Sequence, residues 1–416
     1  MNSKISLALI SFIISLSACN KEKHLTVENN RCQDVKNGAI IITNKELGID
    51  IDSKLIPVII DENNKYIASQ YDSICGVKEL SFVLDVKSKE KRNLKVKFIS
   101  KNELPEHKIS TNIRYARLVN DRLKVLSSDT CYKYNLSRGG ENYPYQHDGP
   151  AWENDKVGFR LYFDGRNCID IYGKLTDKLV LDNVGLNKFE RPFNNYQTIS
   201  WWGKDILNCG GSFGIGGIAA IKNDSIIRLG VTVNETTNNI EQTVFNKIIE
   251  GPVRSMFRID YKGWNINGTY INLQQYVTIW KGQYGFDVKI KSDNITDNIK
   301  LITGIVNNFN TKDYIIEKNN NDIILSTYDK QTANRDEYLG MAISLDTIYY
   351  NKNFNSPDKG KVTTTWCTEL KLDNNNSCEY SCYAGWENSN DKFKDKKGLI
   401  EEIKKYSTNN LSITIK

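Results

Sequence analysis

Apolar and polar positions alternate along most of this chain. Val157, Phe159, Leu161 and Phe163 interleave with Gly158, Arg160, Tyr162 and Asp164, the period of two that marks a half-buried strand. Asp164-Gly165 predicts a type I′ turn, and residues 167–172 then return as the second strand of a hairpin. With the apolar set on the core side, Arg160, Tyr162, Asp170 and Tyr172 share the opposite face. Before them, His147, Asp148, Glu153 and Asp155 lie in a polar, aromatic-rich loop.

The same rhythm runs on either side. Runs at 39–43, 55–60, 80–85 and 94–99 read as short strands of a small N-terminal β-sandwich spanning residues 25–108, with a turn at 61–64 and a linker around Pro105, His107 and Lys108. From residue 111 to 416 the strands lengthen. Segments 253–260, 270–280 and 284–291 read as long antiparallel strands, and 366–372 and 379–386 as later ones. Arg254, Met256 and Arg258 fall on one face of the first, and Tyr276, Thr278 and Trp280 on one face of the second. That face suits either a sugar-stacking groove or an amphipathic sheet packed under a second layer. Residues 396–406 form the one amphipathic helix, with Leu399, Ile400, Ile403 and Tyr406 along one side. The expectation is an all-β chain of two domains with a short C-terminal helix.

The first residues alter this picture. Residues 1–4 are positive, 5–16 apolar, and Leu16-Ser17-Ala18-Cys19 forms a cleavage site, so 1–18 reads as a secretory signal too short to span a bilayer permanently. Cys19 is placed as in a lipoprotein lipobox, which predicts lipidation there, a tether over 19–24 and an anchored location in the cell envelope, at the outer membrane. Charge is nearly balanced, with 56 basic and 50 acidic residues for a net +6 and no basic block. That balance argues against a nucleic-acid partner and allows an anionic substrate. Eight cysteines follow Cys19 without a CxxC pair, and three histidines are too few for a Cys/His zinc site; thiols or disulfides fit better than a metal centre. The glycine-rich stretch 209–217 does not join a strand to a helix as a dinucleotide fold requires, so tight turns explain it.

The candidate chemistry collects in the large unit. His147 alone of the three histidines falls among the motifs, and an imidazole suits proton transfer near neutral pH. Asp148, Glu153 and Asp155 admit an acid/base pair of a glycoside hydrolase, a Ca²⁺ site, or polar ties that fix the loop. A third chemistry, β-elimination from a uronic acid, needs a cation for the carboxylate, a base for the C5 proton and an acid for the departing C4 oxygen. His147 or Tyr172 as base and Arg160 with Arg254 as carboxylate binders supply those types. Tyr162, Trp202, Lys204, Arg258, Tyr276 and Trp280 are the expected substrate contacts.

The segment GPAWENDKVGFRLYFDGRNCIDIYGK, with WGKDIL, GPVRSMFRI and the late AGWE, resembles an uncharacterised lipoprotein family that carries only a domain-of-unknown-function label and is common in polysaccharide-degrading Bacteroidetes. The resemblance spans most of the mature chain. It implies a large antiparallel supersandwich similar to the galactose-mutarotase-like fold of many polysaccharide lyases. It also implies elimination on uronate-containing oligosaccharides, by glycosidic cleavage or by loss of water from a terminal uronate. A glycoside hydrolase using Glu153 and Asp155, and a non-catalytic glycan-binding lipoprotein, are the alternatives.

Overall fold

The computed structural model describes residues 22–49, 54–136, 144–319, 321–408 and 411–416. Residues 1–18, read above as a signal, and Cys19 therefore lie outside the described residues.

Antiparallel sheets make up nearly all of the regular secondary structure among the described residues. The N-terminal unit pairs a five-stranded sheet, in the order Leu411–Ile415, Glu22–Asn29, Lys91–Ile99, Ile56–Ile60, Tyr66–Ile67, with a three-stranded sheet of Val35–Thr43, Val77–Val86 and Ser69–Ile74. Alternating Leu25, Val27, Ile40, Ile42, Phe82, Leu94 and Val96 close one core between them. Two features differ from the sequence expectation. Strand pairing begins at Glu22, inside the stretch read as a tether, and the last strand of the chain returns to pair Leu25 with Ile415.

The large unit is built on a nine-stranded sheet running from Ser128–Tyr132 through Arg254–Ile266, Thr269–Trp280, Gly285–Ser292 and Ser377–Trp386 to Ile315–Asn319. Two five-stranded sheets supply the facing residues of its core. One holds Gly203–Asp205, Ile169–Lys174, Val157–Leu161, Ala151–Asn154 and Thr111–Arg114; the other contains Ser225–Arg228, Ala219–Lys222 and Lys300–Val306. Trp152 and Phe159 from the first meet Phe257 and Phe286 of the long strands, with centroids 4.6–5.2 Å apart. Enclosing each such ring contributes about 1.5–3 kcal/mol. This aromatic cluster fixes which side of Val157–Leu161 faces inward, and hence which side carries Arg160.

The helix Lys396–Tyr406 forms as the apolar stripe predicts. Its Leu399 presses on Gly340 and Gly385, where an added Cβ would come within 2.2 and 2.7 Å of the leucine side chain. The hairpin is looser than expected. Its strands end at Leu161 and restart at Ile169, and Tyr162 closes the loop by donating its N–H to the Cys168 carbonyl. The Asp164 carboxylate accepts the N–H of Arg166, which stabilises a wider turn than the two-residue one.

Candidate active site

Arg160 and Asp170 are cross-strand partners in the hairpin, and period-two alternation directs both away from the aromatic core. Three carboxylates converge on the Arg160 guanidinium. Nη1 donates to Asp148, and Nη2 to both Asp170 and Asp205, each at 2.6 Å. The Tyr162 hydroxyl stands 2.8 Å from Nη2 and donates to Asp170, also at 2.8 Å. Rings of Tyr162, Tyr172 and Tyr196 surround the guanidinium carbon at 4.8, 5.4 and 4.7 Å from their centroids, within cation–π range. Tyr196 also donates its hydroxyl to Asp148 at 3.1 Å.

One guanidinium cannot balance three buried carboxylates, so the cluster favours holding a proton. Burial first, and the neighbouring Asp170 second, raise the Asp205 carboxyl well above the usual carboxylate range.

Backbone strain positions the loop ahead of the hairpin. His147 and Asp148 take φ of +61° and +62°, a region costly for residues with a side chain, on the order of 1–3 kcal/mol each. Gly149 follows at φ +150°, where a Cβ would sit 2.3 Å from the Leu161 carbonyl oxygen. His147 Nε2 lies 2.8 Å from the Leu181 carbonyl, which can only accept, so Nε2 bears the proton; Nδ1 then accepts from the Tyr172 hydroxyl at 3.0 Å. Burial, reinforced by the charges of Arg160 and Arg114, pushes the imidazole down to about 3, against the bond to Leu181. His147 is therefore neutral at physiological pH. Glu153 secures this arrangement from behind, accepting the N–H groups of Val180 and Leu181 at 2.6 and 2.7 Å and pairing with Lys174 at 2.5 Å.

A cleft of about 440 Å³ opens on the cluster. Arg160, Tyr162 and Asp205 line it, together with Arg166, Arg228, Cys168 and Cys209. Arg166 stacks on the Tyr162 ring at 4.0 Å and pairs with Asp164 at 2.7 Å. Arg228 is buried and donates to the carbonyls of Arg166 and Ser212, both at 2.9 Å.

The expected site residues divide into three groups. Arg160, Tyr162 and Tyr172 come together with His147, but His147 and Tyr172 are each only 1% exposed and neither lines the cleft. They can influence the cleft only through Arg160 and its neighbours. Arg160 is itself saturated by carboxylates, so it organises the site rather than binding a substrate carboxylate. Trp202 and Lys204 lie near but face elsewhere: Trp202 packs beneath Tyr172 at 5.8 Å, and Lys204 pairs with Glu337 at 2.8 Å. Arg254, Arg258, Tyr276 and Trp280 are apart from the cleft. Arg254 is fully buried against the N-terminal unit, 3.0 Å from Glu79 and 3.5 Å from Asp72, and stacks over Trp280 at 5.5 Å. Arg258 pairs with Asp260, the Tyr276 hydroxyl meets Cys75 Sγ at 3.7 Å, and Trp280 donates to Asp287. The strands Ser69–Ile74 and Val77–Val86 cover that end of the face, as the amphipathic-sheet alternative foresaw.

Asp205, Tyr196, Arg166 and Arg228 were missed. Asp205 was signalled by its alternation with Lys204 at the end of WGKD; Tyr196 arrives on an irregular excursion with no periodic signal. Asp148 is a direct partner of Arg160 rather than a mere loop tie. Glu153 does fix the loop, and Asp155 accepts the Gly282 N–H at 2.7 Å. Among the described residues, no group of three or more His, Cys, Asp or Glu has the geometry to hold a metal ion. The position central to the three aspartates is filled by Arg160.

No curated protein matches this sequence. Among solved structures, the chain is similar to a protein in the glycosyl hydrolase family 38 from Enterococcus faecalis, at 9% identity and a TM-score of 0.48. It is also similar to an alpha-mannosidase from Enterococcus faecalis V583, at 10% identity and a TM-score of 0.45. Each alignment covers 95% of this chain but only 48% and 46% of the other, so the chain spans about half the length of those proteins. Residues 27–410 match the family described as "Domain of unknown function (DUF4861)". The chain belongs to that family.

Proposed function

We propose that this protein is a carbon–oxygen lyase acting on uronate-containing oligosaccharides. The observation that carries this reading is the meeting of Tyr162, Asp170 and Asp205 on one nitrogen of Arg160, beside a cleft that also presents Arg166 and Arg228. Arg166 meets the substrate carboxylate, Arg228 adds its charge from the cleft wall, and together they make the C5 proton more acidic. Tyr162 oxygen takes that proton while its own passes to Asp170, already 2.8 Å away. The C5 electron pair forms the C4–C5 double bond, the C4–O bond breaks, and Asp205 protonates the departing oxygen. Exchange with water returns the proton from Asp170 and restores that of Asp205. His147 and Tyr172 hold the cluster from behind.

An inverting hydrolase is disfavoured by distance. Asp170 and Asp205 touch the same nitrogen at 2.6 Å, so their bound oxygens stand closer than the roughly 6.5–9.5 Å separation of inverting carboxyl pairs. Glu153 and Asp155, the alternative pair, are engaged by backbone N–H groups away from the cleft. The test is to incubate the protein with a panel of uronate oligosaccharides and follow ultraviolet absorbance of the unsaturated product. New absorbance, lost in Asp205→Asn and Tyr162→Phe, supports elimination. Reducing sugar without absorbance would establish hydrolysis instead, and binding without turnover a glycan-binding protein.

The envelope location and lipid anchor belong to the same proposal and rest on Leu16-Ser17-Ala18-Cys19. Cys19→Ser should move the protein from the membrane fraction to the soluble one; unchanged fractionation refutes the anchor.

A further inference from the structure

Two cysteines in the cleft wall are used by none of the chemistry above. Cys168 directly precedes the strand Ile169–Lys174, and Cys209 opens the turn closed by the Ser212 N–H. The backbone ties the two segments together. Ile169 bridges in parallel to Gly214 and donates its N–H to the Phe213 carbonyl, and Cys209 Sγ lies 3.6 Å from the Ile169 carbonyl. The contacts cross over: Cys168 Sγ lies 3.2 Å from the carbonyl of Ser212, in the turn that Cys209 opens, and both side chains line the cleft. Both are free, and Cys209 is half-buried, within reach of a reagent in the cleft.

Arg228 is an independent observation pointing to the same pair. A buried guanidinium ordinarily requires a carboxylate partner. Among the described residues, Arg228 instead donates to carbonyl oxygens and, at 2.6 Å, to Cys168 Sγ. The sulfur is the one atom in that set able to carry a negative charge. The neighbouring Cys209 side chain, followed by the charges of Arg228 and Arg166, brings the Cys168 thiol down to about 7 against the effect of burial. The Cys209 thiol is pushed well above its usual range, first by Cys168 and then by burial. One sulfur is thus poised to attack and its neighbour to follow.

We propose that Cys168 and Cys209 form a redox-active dithiol that closes to a disulfide in the cleft wall. The oxidant is a small-molecule or protein disulfide. The Cys168 thiolate attacks one of its sulfurs, expelling a thiolate and leaving a mixed disulfide. Cys209 loses its proton to solvent, attacks the Cys168 sulfur and expels the second thiolate. Two electrons pass from the cysteine pair to the oxidant, which leaves as two thiols. The resulting bridge is uncharged, so closure withdraws the anion from Arg228 and makes the cleft more attractive to anionic ligands.

The full chain is exposed to reduced or to oxidised glutathione, alkylated with iodoacetamide and digested without reductant. Oxidation should remove two alkylatable thiols and produce a linked peptide joining Cys168 to Cys209. In Cys209→Ser, Cys168 should stop at the glutathione mixed disulfide. Arg228→Gln should slow alkylation of Cys168 at pH 7 by about tenfold, because less of the thiol is ionised. The proposal is overturned if both thiols of the folded protein stay alkylatable in oxidised glutathione, or if the linked peptides join other cysteines. Cys209→Ser that takes up no glutathione on Cys168 would overturn the choice of nucleophile. None of these readouts measures turnover, so the result stands apart from that of the elimination assay.

Discussion

Arg160 and Arg254 are both enclosed arginines on sheet faces that also carry aromatic rings, and each is flanked by carboxylates. They differ in what lies above them. The partners of Arg254, Asp72 and Glu79, belong to another unit, whose strands cover that part of the sheet. The partners of Arg160 come from its own hairpin, the loop before it and the strand beside it, and one flank opens to a cleft. The first arrangement braces two layers; the second holds more carboxylates than one cation can balance and leaves one flank open to a cleft. A face of arginine and aromatic residues thus becomes a site only when no further layer arrives to cover it.

Substitutions should separate these two arginine environments. If the enzymatic reading holds, Asp205→Asn should lower kcat by roughly 10²–10⁴-fold, as expected for loss of a general acid, while Arg254→Met leaves it within about twofold. Comparable losses in both variants would erase the distinction. Stability should move next. Arg160→Met strands three carboxylates and is expected to cost about 3–5 kcal/mol in urea unfolding, with Arg254→Met costing roughly half as much because Asp72 and Glu79 can rehydrate.

A pH titration sharpens the contrast further. The folded pKa of His147, about 3, lies below the unfolded value near 6.5, so the unfolded chain binds the extra proton between them. Stability from this group is full above pH 6.5 and is lost as pH falls toward 3. Wild type should therefore lose about 2 kcal/mol more than His147→Gln between pH 7 and pH 4.5. Equal losses would mean the imidazole is not held neutral. The smallest effect is expected at Arg258, where the pair with Asp260 is partly exposed; Arg258→Ala should cost under about 1 kcal/mol and leave ligand binding unchanged.

Much of the architecture was legible from periodicity. The helix 396–406, the long strands and the hairpin face all follow from alternation, which reports the side of a strand a residue occupies. Alternation does not report what covers that side, and this is why Arg254, Arg258, Tyr276 and Trp280 read as a groove. The core of the site was partly legible, because Arg160, Tyr162, Asp170 and Tyr172 are local to one hairpin. Tyr196 and Arg228 reach the same place through an irregular loop and a separate sheet, contacts that leave no short-range mark, and the alternation at Lys204 and Asp205 gives a side but not a partner. Tyr162 leaves the strand because Asp164 rebuilds the turn, a preference set by one carboxylate and not by hydropathy.

The first sheet is closed by the strand Leu411–Ile415, which pairs Leu25 with Ile415 and ties His24 to Lys416 across nearly the whole sequence. In a chain synthesised from its N-terminus, the earliest strands therefore wait for the latest ones. Until residue 415 emerges, Glu22–Asn29 presents an unpaired edge able to recruit foreign strands or proteases. Completion of this unit is thereby coupled to synthesis of residues 411–415, and a product truncated before them leaves its defect in the N-terminal sheet.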